Sequence, residues 1–313
     1  MQFRIAEEGK TMEPMERAQR ILEKFSLPGR DLYALPTSSG TFADGCQYRM
    51  EVSGVESVAE LEAVVEESRA RNIPIHRVVA IGGGTHSLTF TELQSLARIA
   101  RDGRIELITI PGPRANFDTG SHYHSPWGHA SGVRPRGADQ LAYIVEDVLR
   151  CIEAGLRGFL FYGEEVTQLF QQMRLQGDIP KDTIFKLSYT AGVANPAGAR
   201  LAESLGADSI NPVSDLTLPM LAAIRAAVKV PMDIVTMAAE QNLGSINRFW
   251  EGAEIIRACS PCYFKQEFGP GVEGARLKVK YCEIMRELVG RINPELRMSG
   301  WGPSDLRLPA ESK

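Results

Sequence analysis

The stretch that decides the fold is IFKLSYTAGVANPAGARLAESLGADSIN, residues 184–211. Its two ends, Ile184–Tyr189 and Asp208–Asn211, are short runs rich in apolar residues, which is typical of buried strands. Between them, Asn195-Pro196 places a helix N-cap before a proline at the first helical position, and Gly206 stands where a helix C-cap is expected. The stretch therefore predicts one strand–helix–strand unit of a parallel sheet.

The same unit recurs along the chain. The predicted strands are Tyr48–Ser53, His76–Ile81, Ile105–Ile110, Gly158–Tyr162, Ile184–Tyr189, Asp208–Asn211, Met232–Val235 and Ile255–Cys259. The predicted helices begin near Val58, Phe90, Asp139, Glu165, Pro196, Leu218 and Gly244, and a last helix covers Val272 to Arg291. Eight such units in series predict an α/β fold, a closed (β/α)8 barrel (TIM barrel). The alternative is an open doubly wound sheet, but neither a GxGxxG nor a GxxxxGK[ST] motif favours it.

The pattern also predicts the organisation of the chain around the barrel. Residues 1–45 form an N-terminal extension with one helix from Met15 to Phe25, and residues 46–292 form the barrel. Residues 293–313 form a C-terminal tail rich in glycine, proline, serine and charge, which we expect to be loosely held.

Composition narrows the classes of partner. The net charge is −4 and the sequence pI is about 5.9, which argues against nucleic acid or an anionic membrane as the main partner. No apolar run reaches the roughly 18 residues of a membrane span, and the N-terminus lacks the apolar core of a secretory signal. We expect a cytoplasmic protein that binds a small-molecule substrate and forms a homo-oligomer.

Strand parity predicts a ring of polar side chains inside the barrel. Alternate residues of a strand face opposite sides, so the apolar parity meets the helices and the other parity meets the barrel axis. The inward residues predicted in this way are Arg49, Glu51, Ser53, Lys186, Ser188, Ser209, Asn211, Asp233, Arg257 and Cys259. Barrel enzymes have their active sites at the C-terminal ends of the strands, which favours a functional ring. A purely structural lattice of ion pairs is the alternative.

The ring suggests roles for individual residues. Glu51 and Asp233 are predicted general acid/base residues, and Lys186 either forms a Schiff base or stays charged and neutralises a substrate carboxylate. The predicted substrate-binding residues of the ring are Arg49, Asn211 and Arg257.

Two loops after predicted strands add candidates. After strand 2, Gly83 and Gly84 belong to a three-glycine run whose backbone N–H groups are suited to an anion, and His86 is a predicted catalytic base. The alternative is a plain turn with a surface histidine. After strand 3, Arg114 is a predicted substrate-binding residue.

The long loop that follows Arg114 is rich in histidine. His122 and His124 share one side of an extended segment, and together with a carboxylate they would bind a divalent metal, the one cofactor that we expect. A lid that closes over the substrate is the alternative role for this loop. Cys259 and Cys262 form a CxxC spacing, which is used either for redox or metal chemistry or simply for packing.

One region of the chain resembles a known family. Ala194–Pro219, with Val230–Asp233 and Ile255–Arg257, is similar to barrel proteins of the collagenase-like peptidases (family U-thirty-two). The resemblance implies a barrel fold and a soluble bacterial-type protein. The chain lacks the cysteine-containing signature of that family, so it resembles a divergent member, and no catalytic residue is carried over.

Three functions are compatible with these features. The first is a barrel enzyme that acts on a small anionic, carbonyl-containing substrate by general acid/base chemistry of the lyase, isomerase or hydrolase type. The second is a peptidase-like, metal-assisted hydrolase, for which the histidine loop would supply the metal ligands. The third is a non-catalytic binding or assembly protein whose polar ring is structural.

Overall fold

The computed structural model describes residues 14–114, 124–125, 128, 133–238, 246–267 and 269–311. Within these residues, eight parallel strands close into a barrel. They are β1 (Tyr48–Val55), β2 (Arg77–Ala80), β3 (Glu106–Thr109), β4 (Gly158–Phe161), β5 (Ile184–Leu187), β6 (Ser209–Ile210), β7 (Met232–Ala238) and β9 (Cys262–Glu267). Strand β8 (Ile246–Asn247) pairs antiparallel with the end of β7 and lies outside the barrel order. The pairing of β6 with β7 completes the closure, which confirms the predicted (β/α)8 fold and excludes an open sheet.

Helices surround the barrel and connect its strands. They are α1 (Pro14–Lys24), α2 (Val58–Ala70), α3 (Phe90–Asp102), α4 (Gly137–Glu153), α5 (Glu164–Gln176), α6 (Pro196–Ser204), α7 (Leu218–Ala227), α8 (Gly252–Cys259) and α9 (Gly271–Ile292). The side chain of Asn195 caps α6 as predicted, and Thr89 and Glu92 form a reciprocal capping box at the start of α3. None of the described helices is long and apolar enough to cross a membrane.

The eighth barrel strand is not the predicted one. Ile255–Cys259 belongs to α8, and the chain crosses Ser260 and Pro261 before it enters the barrel as β9. A short apolar run fits a buried strand and a buried helix equally well, and Ile255 and Ile256 are both fully buried as neighbours on the helix. The predicted helix start near Gly244 lies outside the described residues, and the described helix begins at Gly252.

Apolar packing differs between the outside and the inside of the barrel. Between the strands and the helices, side chains such as Met50, Val52 and Phe185 form one large buried core. Inside the barrel, a second and smaller apolar cluster consists of Val79, Ile108, Ile110, Leu160 and Ile184. These five residues lie on or beside β2 to β5, strands that also carry the buried polar residues Arg77, Glu106 and Lys186.

The C-terminal tail covers the N-terminal end of the barrel. Met298 forms a parallel bridge with Tyr48, and the guanidinium of Arg49 lies 2.6 Å from the carboxylate of Asp305. The backbone N–H of Ala310 donates to the carbonyl of Gly155 at 2.8 Å. The expectation of a loosely held tail is therefore wrong for the part that the structure describes, because its side chains satisfy charged and polar groups at this end of the barrel.

Candidate functional site

Lys186 stands at the centre of the barrel interior, between two carboxylates. Its ammonium lies 2.5 and 2.6 Å from the two carboxylate oxygens of Glu51 and 3.2 Å from Oδ2 of Asp233. All three side chains are almost completely buried. Strand parity therefore predicted correctly that β1, β5 and β7 direct these residues to one point on the axis.

Arg77 and Glu106 extend this cluster below Glu51 and Lys186. Arg77 Nη1 donates to Asp233 Oδ1 at 2.9 Å and to Ser209 Oγ at 3.0 Å, and its Nε donates to Glu106 Oε1 at 2.6 Å. The guanidinium also lies 3.8 Å from the centre of the Tyr263 ring. We call Glu51, Arg77, Glu106, Lys186 and Asp233 the buried ion cluster.

Burial acts on both partners of the central ion pair. It raises the pKa of Glu51, with Lys186 opposing the shift, and it lowers the pKa of Lys186, with Asp233 and Glu51 opposing the shift. The neighbouring charges, rather than water, oppose this effect of burial. Lys186 is not among the residues that line the cavity at the C-terminal ends of the strands.

A cavity of about 320 Å³ opens above the cluster, at the C-terminal ends of β1 to β5 and β9. Its polar and aromatic lining consists of Ser53, Glu56, Arg114, Tyr162, Ser188, Tyr189, Thr190, Lys265 and Glu267. Gly82 and Gly83 form another part of the wall. Glu51, Lys186 and Asp233 do not line this cavity, so the predicted catalytic residues lie beneath the space that would hold a substrate. Their catalytic role stays a prediction.

Lys265 and Glu267 of β9 form a charged pair in the cavity wall. Lys265 Nζ lies 2.9 Å from Glu267 Oε2, donates to Asn211 Oδ1 at 3.2 Å and lies 5.5 Å from the centre of the Tyr189 ring. Burial acts to lower the pKa of Lys265, but the carboxylates of Glu267 and Glu51 outweigh it and raise the pKa above its usual value. Burial likewise acts to raise the pKa of Glu267, but Lys265 lowers it overall. Both groups are charged at neutral pH.

Arg114 supplies a second cation, on the opposite wall. It is buried, its guanidinium lies 4.6 Å from the centre of the Tyr162 ring, and it donates to the carbonyl of Gly82. Burial raises the pKa of Tyr162, with Arg114 opposing the shift, so Tyr162 carries its phenol proton at neutral pH. Arg114 lines the cavity, and its role in substrate binding stays a prediction.

The backbone of the glycine loop (Gly82, Gly83 and Gly84) is held by hydrogen bonds within the chain. The N–H of Gly82 donates to Glu56 Oε1 at 3.0 Å, and the N–H of Gly83 donates to Glu56 Oε2 at 3.3 Å. Gly84 has a positive φ of 102° and uses its own N–H in a turn to Ile81. The two amides that bind the carboxylate of Glu56 belong to Gly82 and Gly83, whereas the prediction named Gly83 and Gly84, and substrate binding by the loop stays a prediction. His86 is exposed in the short helical turn that follows.

Two predicted substrate-binding arginines lie away from the cavity. Arg49 is at the N-terminal end of β1, where it contacts Ser299 and Asp305 of the tail. Arg257 is on α8, outside the barrel, and its guanidinium pairs with Glu254 and donates to the carbonyl of Leu35. The prediction for Arg257 is wrong because its segment is a helix, and the prediction for Arg49 is wrong because its position is too early in the strand.

The predicted metal ligands are not brought together in the described structure. His122 lies outside the described residues, and His124 is an exposed residue of a turn. In the ranges that the structure describes, no three or more His, Cys, Asp or Glu side chains are arranged to hold a metal ion. Metal binding therefore stays a prediction.

Cys259 and Cys262 are buried, unpaired cysteines, and burial raises the pKa of Cys259 to about 12.

Sequence reasoning missed Lys265, Glu267, Tyr162 and Arg77. The signal for the first two was present, because Tyr263, Lys265 and Glu267 alternate with Cys262, Phe264 and Gln266 in CYFKQE. This pattern was hidden behind the apolar run that precedes it, which already supplied an eighth strand. Arg77 and Tyr162 follow from the same parity argument when it is applied to β2 and β4.

Comparison with known proteins adds only general similarity. No protein family and no curated protein matches the chain. Among solved structures, it is similar to the YdjI aldolase from Escherichia coli K12 at 12% identity, with 78% of this chain and 90% of that chain covered and a TM-score of 0.43. It is also similar to the U32 peptidase Mk0906, at 16% identity, 75% and 95% coverage and a TM-score of 0.43.

A third similar structure is the dihydrodipicolinate synthase from Bacteroides thetaiotaomicron, at 14% identity, 78% and 79% coverage and a TM-score of 0.43. Values this low assign neither an activity nor a family to this chain. The assignment of the fold rests on the closed sheet itself, and membership of the collagenase-like family stays a prediction.

Proposed function

We propose that the chain is a barrel enzyme of the lyase type, which acts on a small anionic, carbonyl-containing substrate by general acid/base chemistry. The observation that carries the proposal is the Lys265–Glu267 pair, a buried ammonium and a half-buried carboxylate 2.9 Å apart in the wall of one cavity. Buried charges are costly, and a pair placed at the C-terminal end of a barrel strand stands where this fold carries its chemistry.

Lys265 supplies positive charge where negative charge develops. Its raised pKa keeps it protonated, which disfavours a Schiff base and favours electrostatic stabilisation of a carbonyl oxygen or an enolate. Asn211 fixes the direction of the ammonium by accepting one of its hydrogen bonds at 3.2 Å. Arg114 balances the negative charge of the substrate from the opposite wall.

Glu267 and Tyr162 suit the two proton-transfer roles. Glu267 is ionised and half-buried, so its carboxylate is able to take a proton from carbon next to the carbonyl. Tyr162 is protonated and lines the same cavity, so its phenol is able to return a proton to the product. In the lyase direction, Glu267 takes the proton of the hydroxyl group on the carbon that becomes the new carbonyl, and the carbon–carbon bond breaks. Its electron pair forms an enolate, whose oxygen Lys265 stabilises and whose carbon Tyr162 protonates.

The test detects proton abstraction without knowledge of the complete reaction. A panel of 2-oxo acids and their aldol adducts is incubated with the protein in D2O, and proton NMR follows deuterium exchange beside the carbonyl group. We expect exchange with at least one compound and a rate that falls about 10²–10³-fold in Lys265→Met. Lys280→Met, which removes an exposed lysine of α9, is the matched control and should leave the rate unchanged.

Two results would count against the proposal. One is the absence of exchange across the panel, and the other is a Lys265→Met variant that is folded by circular dichroism and as fast as the wild type. The variant Lys186→Met locates the chemistry. If it remains folded and slows exchange as strongly as Lys265→Met, the reaction belongs to the buried ion cluster instead.

A further inference from the structure

Two backbone amides of the glycine loop bind a carboxylate of the chain itself. Each oxygen of Glu56 accepts one N–H, from Gly82 at 3.0 Å and from Gly83 at 3.3 Å. Successive backbone N–H groups that converge on one anion are a recurrent way in which proteins bind phosphate and carboxylate ligands. Here the anion that occupies them is Glu56.

This pair of amides borders the cavity described above. Gly82, Gly83 and Glu56 all line it, together with Lys265 and Arg114. A Cβ atom on Gly82 would lie 2.8 Å from Glu56 Oε1, so the lack of a side chain is what allows the carboxylate to approach. A Cβ atom on Gly83 would meet nothing within 4 Å, which shows that this side of the loop is open.

The carboxylate of Glu56 is held in a way that permits exchange. Its side chain is exposed, and its residue stands immediately before Ser57, the N-cap of α2. Within the described part of the chain, its oxygens accept from neutral amides and form no ion pair with a lysine or arginine. Hydrogen bonds of this kind contribute little in water, so a ligand with a matching oxyanion competes readily.

We propose that the Gly82 and Gly83 amides form the subsite for the anionic group of the substrate, and that Glu56 occupies it as an internal competitor. The proposal rests on the proposed function only in placing the substrate in this cavity. It specifies the substrate further: a carboxylate or phosphate lies at the glycine loop, and a carbonyl group lies toward Lys265.

Binding of simple anions tests the subsite directly. Inorganic phosphate and acetate are titrated separately into the wild type, Glu56→Ala, Glu56→Gln and Glu62→Gln by isothermal titration calorimetry. We expect Glu56→Ala and Glu56→Gln to bind at least one of the two anions about tenfold more tightly, because the competitor has been removed. Glu62 is an exposed carboxylate of the same helix, and its substitution should leave both affinities unchanged.

The identity of the tighter anion distinguishes a phosphorylated substrate from a carboxylic acid. If neither anion binds more tightly to the Glu56 variants than to Glu62→Gln, the proposal is overturned. Since these variants change exposed side chains, loss of folding does not obscure the comparison.

A second pair of variants identifies the amides. In the Glu56→Ala background, Gly83→Pro removes one N–H, whereas Gly83→Ala keeps it and adds a Cβ in open space. We expect Gly83→Pro to abolish the gain in anion affinity that Glu56→Ala produces, and Gly83→Ala to retain that gain. Equal affinity in both would show that the anion binds elsewhere, for example at Arg114. These titrations require no turnover, so their failure is separate from a failure of the exchange assay.

Discussion

The ammonium group of Lys186 lies 2.5 Å from one carboxylate oxygen of Glu51 and 2.6 Å from the other. The two residues come from β5 and β1, and Asp233 of β7 approaches the same nitrogen to 3.2 Å. One lysine thus connects three strands at the centre of the barrel. Removing one member of a buried ion pair leaves the opposite charge buried without compensation. The resulting loss of stability is larger than the net contribution of the intact pair to stability.

We therefore expect Lys186→Met to lower the free energy of unfolding by about 3–5 kcal/mol, measured by urea denaturation at pH 7. The double variant Lys186→Met/Glu51→Gln should recover part of this loss, because it also removes a carboxylate that would otherwise be buried without its partner. Lys181→Met, at an exposed position, is the control. A single-variant loss below about 1 kcal/mol would contradict a structural role for the cluster. Glu51→Gln and Asp233→Asn proteins that exchange substrate protons at the wild-type rate would support it.

His76 makes stability depend on pH. Its Nδ1 accepts from the backbone N–H of Met50 at 3.0 Å, and its Nε2 lies 3.0 Å from the carbonyl of Ser299, so the neutral ring joins β1 to the C-terminal tail. Burial lowers its pKa to about 4. The unfolded chain binds this proton near pH 6.5, so stability is complete above that value and is lost as the pH falls toward 4.

The difference between the two pKa values corresponds to about 3 kcal/mol at its limit. We expect His76→Asn, whose side-chain oxygen still accepts from Met50, to have a clearly shallower decrease in stability between pH 7 and pH 4.5 than the wild type. His86→Asn, at an exposed histidine, should reproduce the wild-type curve. Parallel curves for His76→Asn and the wild type would show that other groups cause the acid sensitivity.

Gly158 begins β4 at a point where the barrel has no room for a side chain. A Cβ atom there would lie 2.4 Å from the carbonyl oxygen of Leu107 and 2.6 Å from Cδ1 of Ile108. We expect Gly158→Ala to lower the free energy of unfolding by about 1–3 kcal/mol in urea denaturation. The Cβ atom that Gly83→Ala adds meets nothing within 4 Å, so this variant should change the free energy of unfolding by less than about 0.5 kcal/mol. Equal stability of the two variants would disprove the steric explanation.

The sequence by itself determined the fold and the direction of most inward side chains. Alternation of strands and helices, helix caps and strand parity are local properties, because the pleat of a strand fixes which face each residue occupies. For this reason the inward positions of Glu51, Lys186 and Asp233 were predictable. The eighth strand was not, because Ile255–Cys259 is apolar enough for either element, while Lys265 and Glu267 interrupt the apolar character of β9.

Only the tertiary structure decided which polar residues face a cavity and which neutralise one another. Glu51 and Lys186 are 135 residues apart, and no local pattern shows that their charges meet beneath the cavity rather than within it. Depth along the axis depends on how all eight strands are staggered when the barrel closes. That closure buries one set of charges as ion pairs, and it leaves Lys265, Glu267 and the glycine loop in the wall of the cavity at the C-terminal ends of the strands.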